Sequence, residues 1–117
     1  MKMTRKAREI NKGVKGYDRL TLNITPTWED EDLTGFNVSF YCCDEEFENF
    51  KHFKPIHTDA NELANLLFEL RDLHDDKYEV NIFAYYHGCR EISNFYNDVI
   101  DELNCYNRFY MEYEWGW

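Results

Sequence analysis

The sequence predicts an α+β fold: a four-stranded, mainly antiparallel sheet with two helices packed on one face, in the order β-β-α-β-α-β after an optional N-terminal helix. Three observations carry that prediction. Four stretches alternate apolar and polar residues with a period of two, and two longer ones repeat apolar residues at helical spacing. The chain has 117 residues, enough to enclose one hydrophobic core and too few for two. An aromatic fraction of 18% excludes a disordered chain, which cannot carry that much ring surface.

The first 16 residues read as a basic leader ahead of one acidic domain over 17–117. Thr4 can cap a helix, Arg5 to Lys12 are good helix formers, and Gly13 and Gly16 stop it. Ala7, Ile10 and Val14 make a narrow apolar stripe, which fits either a short docked helix or a tail. From Arg19 the pattern alternates: Leu20, Leu22, Ile24, Pro26 and Trp28 share one face of a half-buried strand. Pro26 cannot donate to a ladder, so this strand's end belongs at an edge or leaves the sheet. A charged connection over Glu29 to Gly35 leads to a second alternating run, Phe36, Val38, Phe40 and Cys42, and the two runs form an antiparallel hairpin.

Residues 44–57 are acidic and aromatic, with Phe47, Phe50 and Phe53 three apart and Pro55 closing the segment; this reads as irregular chain whose rings patch the core. The clearest helix follows. Thr58 or Asp59 caps it, Glu62 can reach back to an Asp59 cap, and Leu63, Leu66, Leu67, Leu70 and Leu73 line one face. Lys77 to Tyr86 is a strand with apolar side chains on both faces, hence an inner one. Ile92, Tyr96, Val99 and Leu103 mark a second helix ending near Asn104, and Phe109, Met111, Tyr113 and Trp115 a final strand.

Chemistry is sparse. The five glycines are scattered and match no phosphate-binding fingerprint, and neither Ser39 nor Ser93 stands in a nucleophile-elbow context. The candidate metal ligands are His52, His57, His74, His87, Cys42, Cys43, Cys89 and Cys105. Of these, His87-Gly88-Cys89 alone comes near the pairing that a zinc site needs, and the expectation is no metal and no cofactor. Asp75-Asp76-Lys77 resembles a nuclease acid-x-Lys element, but it precedes the strand instead of lying within it. A small metal-dependent nuclease is therefore a remote alternative to a non-enzymatic role.

Charge is the strongest functional signal. The formal net charge is −10, yet the first 19 residues, with seven basic side chains against two acidic, carry +5, and the remainder carries −15. Such a body repels nucleic-acid phosphates and attracts a basic groove on another protein, while the basic leader can either touch RNA or DNA phosphates or serve as a solubilising terminus. The expected partner is accordingly a nucleic-acid-binding enzyme, engaged by a nucleic-acid mimic. In size and composition the chain resembles small acidic inhibitors that bacteriophages and mobile elements direct against restriction, CRISPR or repair enzymes. The expected interface is Glu29, Asp30, Glu31, Asp32, Asp44, Glu45, Glu46 and Glu48, which bracket the first hairpin. The alternative is an accessory module that self-assembles, as a homodimer, or binds a partner through the aromatic C-terminal strand. No apolar run is long enough for a membrane span or a secretory signal, and the paired Cys42 and Cys43 fit reduced thiols in a cytoplasmic setting.

Overall fold

The structure is a computed structural model that describes residues 5–44, 49–74, 78–85, 90–103 and 109–114. Its centre is the hairpin of β1 (Arg19–Glu29) and β2 (Asp32–Asp44), paired antiparallel from Arg19↔Cys43 to Glu29↔Asp32. The turn is Asp30-Glu31, with Asp30 at φ 56°, a left-handed conformation that Asp tolerates because its short polar side chain can satisfy the backbone locally. Leu33, Thr34 and Gly35, expected in a charged connection, belong to β2. Thr34 is the extra residue of a β-bulge between the Thr27↔Gly35 and Trp28↔Leu33 pairs.

Two short strands, β3 (Asn49–His52) and β4 (Ile56–Thr58), both pair antiparallel with β2 where the sequence reads as irregular. Their four and three residues are too few for a period to register, and every side chain of β3 is exposed. Gly35 lets β4 approach, since a Cβ there would collide with the Thr58 carbonyl and the His57 ring.

The other half of the sheet departs further from the expected antiparallel pattern. β5 (Glu79–Tyr85) runs parallel to β1, and β6 (Phe109–Glu114) parallel to β5. The sheet is thus six-stranded and mixed, in the order β3-β2-β1-β5-β6 with β4 also on β2. Crossovers explain this: α2 (Ala60–Leu73) and α3 (Arg90–Leu103) each return the chain to the end at which a parallel neighbour must begin. Pro26 stands beyond Ile24↔Ala84, the last β1–β5 pair among the described residues, where β1 has β2 alone as its described partner.

Three helices, not two, cover one face. α1 (Arg5–Gly13) is the leader's helix, and it is docked: Ala7, Ile10 and Val14 are fully buried. They join Leu20, Leu22 and Ile24 of β1, Val38 and Phe40 of β2, Val80 and Ile82 of β5, and the apolar faces of α2 and α3 in one core cluster. Asp59 and Glu62 form the capping box that starts α2, with Glu62 N–H donating to Asp59 Oδ1 at 2.7 Å. Among the described residues no element packs on the opposite face, where Tyr110, Asn81, Thr21, Tyr41 and His52 lie in one row across the strands.

Candidate interaction surfaces

The tip of the β1–β2 hairpin combines charge with exposed apolar surface. Glu29, Asp30, Glu31 and Asp32 are all exposed, and none has a basic partner among the described residues. Beside them Trp28 is 41% exposed and Leu33, its cross-strand neighbour, 38%. The tip's base is tied down: Thr27 Oγ1 lies 2.9 Å from both Thr34 Oγ1 and His57 Nε2, which joins the hairpin to β4. The arm is therefore anchored at its base, with Trp28 and Leu33 exposed beyond the anchor.

Of the second expected acidic cluster, Asp44 alone lies among the described residues. Asp44 ends β2, twelve residues from Asp32, so at ~3.3 Å per residue the two stand roughly 40 Å apart. That is about the longest dimension of the molecule, 42 Å, and a single patch spanning both ends of the hairpin is not formed. Glu45, Glu46 and Glu48 lie outside the described residues, as do His87, Cys89, Cys105 and the Asp75-Asp76-Lys77 triplet.

Charges elsewhere segregate. The outer side of α3 presents Glu91, Asp98, Asp101 and Glu102, all exposed, beside a shallow groove floored by Ala64, Phe68, Phe95 and Val99. Arg71 of α2 reaches towards α3, 3.9 Å from Glu102 and 3.1 Å from Asp72, with its guanidinium 5.2 Å from the Phe68 ring centre. On the far flank of the helical layer, Arg5, Arg8 and Lys12 are exposed on α1, with Lys15 just after it and Lys51 and Lys54 on or beside β3. Sequence reading found the basic leader but could not bring Lys51 and Lys54 to it, because the contact depends on a strand too short to detect.

The candidate metal ligands do not converge: no group of three or more His, Cys, Asp or Glu among the described residues could hold an ion. His57 is engaged with Thr27, and His74 Nε2 is within hydrogen-bonding distance of the Tyr78 carbonyl oxygen. Cys42 is buried in the core, and burial pushes its thiol up, away from the thiolate that a nucleophile or ligand requires. Among the described residues no helix is long and apolar enough to cross a membrane. Comparison with protein-family models, curated proteins and solved structures gives no match, so any functional reading rests on these surfaces.

Proposed function

We propose that the protein is a non-enzymatic, stoichiometric inhibitor whose acidic hairpin tip enters a basic groove on a nucleic-acid-handling enzyme. The observation that carries this reading is the conjunction at one anchored tip of four exposed carboxylates, none with a basic partner among the described residues, with exposed Trp28 and Leu33. A field of carboxylates steers encounter with a groove built for phosphates, and a tryptophan that buries on contact supplies the central anchor of such interfaces. Glu29, Asp30, Glu31 and Asp32 take the phosphate-mimicking role, and Asp44 at the far end of β2, with Glu45, Glu46 and Glu48 that follow it in sequence, supplies further negative charge for the same partner. Restriction, CRISPR and repair enzymes are the target classes, a phage or mobile element the source, and the cytoplasm the site of action.

The test is affinity capture from host lysate with the wild-type chain, a Glu29→Lys/Glu31→Lys variant and a Trp28→Ala variant. The reading expects a nucleic-acid enzyme that is captured and inhibited at a one-to-one ratio, with both effects lost in either variant. Equal capture and inhibition by all three would remove the tip as the site. A second reading, assembly through β6, draws on its position at the sheet edge and on Tyr110, which is 49% exposed there. A homodimer in light scattering that disperses on Tyr110→Glu would favour it.

A further inference from the structure

Most of the protein's described cations lie on α1, just after it, or on or beside β3, and Lys12, Lys51 and Lys54 come together where the two elements meet. Arg5, Arg8, Lys12, Lys15 and Lys54 are exposed and have no carboxylate partner among the described residues. A depression of about 500 Å³ opens between the two elements, lined by Glu9, Lys12, Lys51, His52, Phe53 and Lys54. Glu9 is 3.7 Å from Lys6, which offsets its charge. Gly13 ends the helix against the Phe53 ring with no room for a Cβ, and its carbonyl oxygen accepts from Lys51 Nζ at 3.4 Å. These contacts hold the cations on a rigid frame.

The same strand carries rings on its other side. Phe50, 60% exposed, projects onto the face away from the helices, and Phe50 and His52, which also borders the depression, both flank Tyr41, with ring centres 6.1 Å and 5.6 Å away. β3 ends the strand order, and among the described residues its outer edge has no strand partner, which leaves it open to be followed by a chain. Cations on one side of an edge and exposed rings on the other match a single-stranded polynucleotide, whose phosphates need positive charge and whose unstacked bases need flat apolar partners. Duplex DNA would present phosphates but no free base faces. A membrane surface would need apolar side chains to insert, and those of α1 are committed to the core.

We propose that the α1–β3 edge binds single-stranded nucleic acid, with Lys12, Lys51 and Lys54 on the backbone and Phe50, Tyr41 and His52 under the bases. This site is separate from the hairpin tip and does not depend on its role. The test uses the full chain and a fluorescein-labelled 20-nucleotide oligo-dT, followed by anisotropy at about 50 mM and about 200 mM salt. Binding is expected at the lower salt and weakens at the higher. Phe50→Ala weakens it by about tenfold while keeping the salt slope, as loss of one stacked base does. Lys12→Glu/Lys54→Glu weakens it at least as much and flattens the slope. All three residues are exposed, so circular dichroism should show the variants folded. A Glu29→Lys/Glu31→Lys variant binds the oligonucleotide no more weakly than wild type. Absence of binding at the lower salt overturns the proposal. So does equal binding of a duplex or of phosphatidylserine vesicles with no effect of Phe50→Ala.

Discussion

Tyr96 is fully buried, and its hydroxyl donates to the Tyr85 carbonyl oxygen at 2.9 Å, joining α3 to the end of β5. Burial pushes its phenol well above the ordinary tyrosine range. The folded chain therefore keeps this proton at a pH where the unfolded chain gives it up. Stability that is complete below about pH 10 should fall as pH rises through the interval between the unfolded and folded values. Tyr96→Phe should lower stability by about 1 kcal/mol at neutral pH through the lost hydrogen bond, and should also blunt the alkaline loss. Urea titrations at neutral pH and at about pH 11 would check both. The Cys42 thiol is raised mainly by burial, with Lys51 opposing. Peptide mapping after maleimide treatment should find Cys42 unlabelled in the native protein and labelled in denaturant.

Among the elements, α2 was the most legible because its signals are local. The Asp59–Glu62 box and the leucine stripe lie within one stretch of chain, and both are present in the fold. Asp59→Ala should cost about 1 kcal/mol, seen as a melting temperature lower by ~4 °C, because it releases the Glu62 N–H that the cap satisfies. The β1–β2 hairpin was legible for the same reason, down to Pro26 at a position with one described neighbour. Strand direction was not. Whether Val80 and Ile82 lie beside Leu20 and Leu22 in parallel or antiparallel register leaves the alternation unchanged, so periodicity cannot decide it. β3 escaped detection because its four exposed residues carry no apolar face, and with it escaped the cationic corner.

At the scale of the whole molecule, the sequence showed that charge was abundant and uneven, but not where it gathers. Folding takes Glu29–Asp32 to one end of β2 and Asp44 to the other, and it carries Lys51 and Lys54 to the basic helix; both outcomes depend on strand length and pairing. With a net charge of −10, self-repulsion opposes compactness. Raising sodium chloride from about 10 mM to about 150 mM should therefore raise the melting temperature, and a fall would mean that the paired charges matter more than the repelling ones. Pro26 carries a further consequence for the colloidal behaviour of this protein. Past Ile24, β1 has a described partner on the β2 side alone, and a strand side without a partner is a template on which other molecules can polymerise. Pro26 lacks the amide hydrogen such growth would require. Pro26→Val, close in volume and strong in β preference, should form thioflavin-positive fibrils on concentration more readily than the wild-type chain.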